Sequence, residues 1–416
     1  MPGAAPVTSF PETSFPKDQI EVLLLENIHP SANTLFQAEG FRLEVVSGAM
    51  SEEELIERIG SVHVIGIRSK TNISEAVIER ARRLLAIGCF CIGTNQVDLA
   101  AANRRGVPVF NAPLSNTRSV AEMVLAEIVM LSRKLGDRNT EMHQGIWNKS
   151  ATGSNEIRGK TLGIIGYGHI GTQVGVLAEA FGLRVVFYDV VAKLPLGNNR
   201  PCETLEDLLS QSDYVTLHVP ATERTKNMMD AATLAKMKRG AKLLNLSRGN
   251  VVDIATLAGL LRTDYLSGAA IDVFPVEPKN NSEEFVSELR GVPNVVLTPH
   301  IGGSTAEAQE AIGREVGGAL IRLINTGSTV GAVNFPIVDP PPQGQHRVLN
   351  VHRNVPGVLT SINRIISDCN ANVVGQMLAT DPNIGYLVID LDREVAEEVR
   401  AAVAKLETSI RTRILY

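Results

Sequence analysis

The stretch Gly166-Tyr167-Gly168-His169-Ile170-Gly171, with Asp189 eighteen residues beyond its last glycine, decides the fold. Leu162-Gly163-Ile164-Ile165 before it is a short apolar strand, and 169–181 after it carries apolar residues at helical spacing. The glycines therefore fall on a strand-to-helix turn. Gly166 permits the tight turn, Gly168 lets the backbone approach a pyrophosphate, and Gly171 lets the helix pack close to the sheet. Phosphates rest on the helix N-terminus at His169 and Ile170, where free N–H groups favour anions. A second strand, 184–188, delivers Asp189 at its carboxyl end, where a carboxylate accepts ribose hydroxyls. A 2′-phosphate there would meet like charge, offset only by Lys193, so the pattern predicts NAD rather than NADP.

Outward from this turn the α/β rhythm continues in both directions. Upstream, 20–109 alternates short apolar runs with amphipathic segments, as in a parallel sheet. A longer helical pattern, 118–135, follows without a strong capping signal, and Trp147 lies in the loop beyond it. Downstream, strands are predicted at 214–218, 242–246, 267–272 and 294–297. A doubly wound domain usually begins at its fingerprint strand, so the upstream region is a separate unit or an insertion into one. An amphipathic helix is expected from 306 to about 325, and Asp339-Pro340-Pro341-Pro342-Gln343-Gly344 reads as a linker. The remainder reads βαββαβ in about seventy residues, the ferredoxin-like plan.

Bulk properties narrow the function. A chain of 416 residues is long for one core. Its 40 Lys and Arg against 45 Asp and Glu leave no basic surplus for a nucleic acid backbone. No apolar run reaches the roughly eighteen residues of a membrane helix. Cys89, Cys91, Cys202 and Cys369 lack metal spacing and read as reduced thiols of a cytosolic protein, and no metal is expected. Residues 1–17 hold four prolines and one base, Lys17, which fits neither a secretory nor a transit signal and reads as a disordered tail.

Three residues suited to hydride chemistry on a 2-hydroxy acid fall where strands end. Arg248 follows one strand, and its planar guanidinium can grip a carboxylate through two parallel hydrogen bonds. His300, in Thr298-Pro299-His300-Ile301-Gly302-Gly303, can take the hydroxyl proton as hydride leaves. Glu277 can hydrogen-bond that ring, orient it and raise its pKa. Singly each is an ordinary loop residue; together, on the cofactor half, they point to catalysis.

With these loops, Ile87-Gly88-Cys89-Phe90-Cys91-Ile92-Gly93-Thr94-Asn95-Gln96-Val97-Asp98, Phe110-Asn111-Ala112-Pro113 and Ser115-Asn116-Thr117-Arg118-Ser119-Val120-Ala121-Glu122 make the chain resemble the D-isomer-specific 2-hydroxyacid dehydrogenases, in the branch with one terminal regulatory domain. The resemblance implies two doubly wound Rossmann-like α/β domains and a C-terminal ferredoxin-like ACT domain. The substrate domain would be split, 18–115 and 303–338, around an NAD domain at 116–302, with a linker at 339–345 and the ACT domain at 346–416. It implies Arg248 as substrate clamp, His300 as acid/base and Glu277 as its partner, with Arg68, Ser69 and Asn116 holding the carboxylate and phosphate. Arg68 and Lys70 suit a substrate with two anionic ends. Asp272 would lie near the nicotinamide amide, with Leu246, Ser247, Gly302 and Gly303 completing the cofactor site. Hinges near 115–116 and 302–303 would close the two domains. His352, Asn354 and Asn372 match an effector site, in which an amino acid such as L-serine sits between two ACT domains. The linker departs from bacterial members, which tend to carry a Gly pair where this chain has Gly344-Gln345.

The implied reaction is NAD-dependent oxidation of 3-phosphoglycerate to 3-phosphohydroxypyruvate, the first step of serine synthesis, by a cytoplasmic homotetramer. Alternatives are another 2-hydroxy acid, such as 2-hydroxyglutarate, and an NAD-sensing binding protein like the C-terminal-binding corepressors. A third, a pure amino-acid sensor, is disfavoured by the intact Arg248, Glu277 and His300.

Overall fold

The computed structural model describes residues 14–278, 282–342 and 346–415. Among these, three sheets form, and the chain divides into two compact units. Residues up to Ser115 join those from Gln309 onward, and Asn116–Ala308 forms the other unit.

In the first unit, β1 (Glu21–Leu24), β2 (Arg42–Val45), β3 (Val64–Ile67), β4 (Ala86–Cys89) and β5 (Val109–Phe110) pair in parallel in the order β2-β1-β3-β4-β5. Strands β3 and β4 are buried at every position, which is why they read as unbroken apolar runs rather than alternating ones. The helix Ala306–Thr326 returns from beyond the second unit in sequence, and its Val316, Leu320 and Leu323 pack with Leu24, Phe36 and Phe90 on one face of this sheet.

The second unit begins with helix Thr117–Arg133. Its sheet contains β6 (Thr161–Ile165), β7 (Arg184–Tyr188), β8 (Arg200–Pro201), β9 (Tyr214–Leu217), β10 (Lys242–Asn245), β11 (Gly268–Ile271) and β12 (Val295–Leu297). All pair in parallel, in the order β12-β11-β10-β9-β6-β7-β8. Leu162 and Ile164 enter the core on one face of β6, and Ile165 enters the core on the other. Strand order reverses between β6 and β9, and the crevice at such a switch point is where open α/β sheets bind ligands. The glycine turn leaves β6 there.

The C-terminal sheet is antiparallel: β13 (Arg347–Arg353), β14 (Val373–Thr380), β15 (Ile384–Leu391) and β16 (Ser409–Ile414), ordered β14-β15-β13-β16. Helices Val358–Asp368 and Ala396–Val403 cover Val348, Leu387 and Ile389 on one face. Phe335 and Val338 pack on Leu349, Tyr386 and Val388 of the other. Arg347, buried, grips Asp390 through two bonds of 2.6 and 2.7 Å and donates to the carbonyls of Thr326 and Pro341.

Some local expectations change. The helix expected over 118–135 stops at Arg133, because Lys134 adopts the left-handed conformation (φ 53°), and a second helix, Leu135–His143, follows. Of residues 14–17, expected within the tail, Ser14 and Phe15 are buried. Phe15 lies edge-on to His63 with ring centroids 4.1 Å apart, and Ser14 Oγ accepts from the Ile414 N–H at 2.9 Å. The tail's residues 1–13, and linker residues 343–345 with Gly344-Gln345, lie outside the described residues.

Glu127, on helix Thr117–Arg133, is 2% exposed, and neither carboxyl oxygen has a hydrogen-bond partner. Burial, aided by the charge of Asp272, pushes its carboxyl up to about 8. Glu127 therefore stays neutral in the fold while an unfolded chain ionises it. The stability it supports at acid pH is lost as pH rises from the usual carboxylate range to about 8. The limiting slope is about 1.4 kcal/mol per pH unit. Glu127→Gln is expected to flatten this dependence, raising the urea midpoint at pH 8 while changing it little at pH 5. Equal shifts at both pH values would contradict the assignment.

Candidate active site

The cofactor turn follows from backbone constraints. Gly166 has φ 91°, and a Cβ there would lie 2.3 Å from the His218 carbonyl oxygen. A Cβ on Gly171 would lie 2.2 Å from the Gly166 carbonyl oxygen, so only glycine lets the helix His169–Ala180 approach β6 this closely. Above Gly168 a Cβ would meet nothing within 4 Å, leaving open space at the helix N-terminus, and His169 is exposed beside it. Asp189 ties the turn to the end of β7. Its Oδ2 accepts from the Tyr167 N–H and its Oδ1 from the Val191 N–H, both at 2.9 Å. The open space over Gly168, the free N–H groups of the first helical turn and the carboxylate beside them fit a dinucleotide's pyrophosphate and ribose.

At the carboxyl ends of β10, β11 and β12 the same unit gathers Arg248, Asp272 and His300. Asn245, fully buried, donates to the Arg248 carbonyl at 3.0 Å and accepts from the Ser247 N–H and hydroxyl, fixing the loop that presents Arg248. Leu246 and Ser247 are nearly buried. Asp272, 1% exposed, accepts from Thr298 Oγ1 at 2.6 Å, from the Ile301 N–H at 2.8 Å and from the Gly302 N–H at 2.8 Å. Its carbonyl takes the His300 N–H at 2.8 Å, which holds His300 at φ 55°.

His300 Nδ1 faces Glu277 Oε2 at 3.0 Å, and Glu277 Oε1 accepts from the Phe274 N–H at 3.1 Å. The hydrogen bond that His300 donates to Glu277 raises the His300 pKa against the opposing pull of burial, helped by the charges of Glu277 and Asp272. For Glu277, burial pushes upward, but the hydrogen bond and charge of His300, with Phe274 and Arg248, outweigh it and hold the carboxyl below its ordinary range. Arg248 acts electrostatically on both partners. The half-exposed ring keeps its second nitrogen for a ligand. Asn116, also in this unit, carries a buried Oδ1 with no partner, and a Cβ on Gly303 would lie 2.4 Å from its Nδ2.

In the first unit, Arg68 and Ser69 sit on the loop after β3. Glu26 and Gln96, which motif reasoning did not single out, hold that loop. Glu26 Oε1 accepts from the Arg68 and Thr71 N–H groups at 3.2 and 2.8 Å, and Oε2 from the Lys70 N–H at 3.0 Å. Gln96 Nε2 donates to the Arg68 carbonyl at 2.6 Å. The signal of Glu26 in sequence is only a polar residue ending an apolar run, and Gln96 lies unremarked within the matching block 87–98.

The three effector positions do not converge within one chain. His352, 3% exposed, bonds Asn350 Oδ1 at 3.0 Å, and burial lowers its pKa. Asn354 donates to the Asp381 carbonyl at 2.7 Å. His352 pairs with Gly385 on β15, whereas Asn372 precedes Val373, which pairs with Leu391. Six residues of strand, about 20 Å, separate the two places.

Residues 125–302 match the family model for the D-isomer specific 2-hydroxyacid dehydrogenase NAD binding domain, and 349–411 match that of an AHAS small subunit-like ACT domain. A relative from Dictyostelium discoideum named D-3-phosphoglycerate dehydrogenase is 53% identical over 98% of this chain and 100% of its own length. One of the same name from Escherichia coli strain K12 is 52% identical over 97% and 100%. Among solved structures, D-lactate dehydrogenase from Aquifex aeolicus, complexed with NAD and lactic acid, superposes with a TM-score of 0.66 at 26% identity, covering 76% of this chain and 99% of that one. Identity of this order along nearly the whole of both chains leaves one conclusion: this chain belongs to the D-isomer-specific 2-hydroxyacid dehydrogenase family, as an NAD-dependent enzyme with a C-terminal ACT domain.

Proposed function

We propose that the chain oxidises 3-phospho-D-glycerate to 3-phosphohydroxypyruvate, the first step of L-serine synthesis. The observation that carries the chemistry is the 3.0 Å pair of His300 and Glu277 under the charge of Arg248. The names of relatives at 52% and 53% identity support the substrate. His300 takes the proton of the C2 hydroxyl, Glu277 holds the ring in the needed tautomer and stabilises its protonated form, and Arg248 clamps the carboxylate. Bound NAD supplies the hydride acceptor. Arg68 and Ser69 are assigned to the phosphate end. Asn116 is assigned to the substrate, where its orphaned oxygen accepts a hydrogen bond, and Asp272 and Gly303 to the nicotinamide side.

A homotetramer regulated by L-serine completes the proposal. The ACT match supports it, as does the separation of Asn372 from His352 and Asn354, which calls for two copies to complete one effector site. Edge strand β14, with Val374 70% exposed, supports pairing of two such sheets. Four free cysteines fit a reducing cytoplasm. No described helix is long and apolar enough to cross a membrane.

His300→Gln is expected to lower kcat by about 10²-fold or more with NADH binding, read by fluorescence, retained; ordinary turnover would sink the mechanism. Because Glu277 raises the His300 pKa, Glu277→Gln moves the pH at which 2-oxo acid reduction declines, and at which oxidation rises, to lower values. A pH profile of kcat/KM in each direction checks the sign. Asp189→Ala is expected to raise KM for NAD and erode discrimination against NADP. Assays of 3-phosphohydroxypyruvate and 2-oxoglutarate with NADH, each with and without L-serine, test substrate and effector together. Preference for 2-oxoglutarate, or no response to serine, overturns the corresponding part.

A further inference from the structure

We propose that Glu26, assisted by Gln96, is a positioning residue that selects for a phosphorylated substrate, acting through the loop that carries Arg68 and Lys70. The inference rests on the assignment of Arg68 to the substrate's phosphate end.

The chain leaves β1 through two consecutive left-handed residues, Glu26 at φ 63° and Asn27 at φ 51°. Such a turn is costly for residues with a Cβ and persists only where the surroundings enforce it. It brings the Glu26 side chain, in a residue 8% exposed, beneath the loop after β3. There its carboxylate collects the N–H groups of Arg68, Lys70 and Thr71, while Gln96 takes the Arg68 carbonyl. Both edges of the loop backbone are therefore fixed by side chains from other elements.

The placement of charge is the telling point. Glu26 spends its carboxylate on backbone donors. Among the described residues neither the Arg68 guanidinium nor the Lys70 ammonium forms a salt bridge. A carboxylate that paired with either cation would cancel the charge that an anion seeks. Holding the loop by its backbone instead gives two cations a fixed origin and leaves both charges for a ligand.

Glu26→Gln tests this. An amide placed there keeps one acceptor but turns its NH2 toward a backbone N–H, so at least one loop contact becomes donor against donor. The readout is the ratio of kcat/KM for 3-phosphohydroxypyruvate to that for unphosphorylated hydroxypyruvate, both reduced with NADH by the full-length enzyme. The ratio is expected to fall about tenfold through the KM of the phosphorylated substrate, since a small misplacement of a binding group has effects of this order. Gln96→Leu, which releases only the Arg68 carbonyl, should move it in the same direction, and carries the test if Glu26→Gln yields no folded enzyme. Arg68→Ala serves as the reference. If Arg68→Ala leaves the ratio unchanged, the phosphate assignment fails and the proposal with it. If Arg68→Ala lowers the ratio while Glu26→Gln and Gln96→Leu do not, or lower both substrates equally, the role of Glu26 alone is overturned.

Discussion

The reactive end of the second unit depends on one buried carboxylate. Asp272 takes hydrogen bonds from Thr298, Ile301 and Gly302, and its own carbonyl receives the His300 N–H. These bonds hold His300 in a left-handed conformation that its side chain would otherwise disfavour. The same charge adds to the Glu277 hydrogen bond in raising the pKa of His300, and to burial in keeping Glu127 protonated. One residue thus shapes the loop and contributes to the basicity of the imidazole and the ionisation of a neighbour in the core. Glu127, buried with no donor to either oxygen, is driven neutral.

The same arrangement recurs. Glu26 just beyond β1, Asp189 after β7 and Asp272 after β11 each lie past the carboxyl end of a parallel strand and accept backbone N–H groups from a neighbouring loop. Bonds to a charged group contribute roughly 1.5–3 kcal/mol each, enough to order a loop that lacks a hydrophobic anchor. These carboxylates are held by backbone N–H groups, and among the described residues none of the three forms a salt bridge with a basic side chain.

The cofactor half was legible because its constraints are local. Gly166 and Gly171 are demanded by contacts within a few residues, and Asp189 follows from a single strand. Arg248, Glu277 and His300 were legible as residue types at strand ends, and the structure brings Glu277 to His300 across 23 positions. What escaped depends on contacts that sequence does not place. Glu26 meets its loop 42 to 45 positions away, Asn245 acts within a buried turn, and Lys134 breaks a helix whose apolar spacing continues past it. The effector residues were found by pattern, but only the register of β13, β14 and β15 puts Asn372 at the opposite end of the sheet from His352.

The hydrogen bond between Ser14 and Ile414 joins the first described residue to the final strand, and Arg411 on that strand also donates to the Leu84 carbonyl. The two units therefore become complete at different times as the chain is made. Asn116–Ala308 draws on a continuous stretch and has all its strands once that stretch is synthesised. The other unit has β1 to β5 made before that stretch, yet lacks the helix Ala306–Thr326 and β16 until after it. Its early apolar surface must wait through roughly 200 residues of chain for cover, the kind of delay that exposes a nascent protein to aggregation and to chaperones. The inserted unit draws on one stretch of chain, whereas the unit around it joins two stretches that the inserted one separates in sequence.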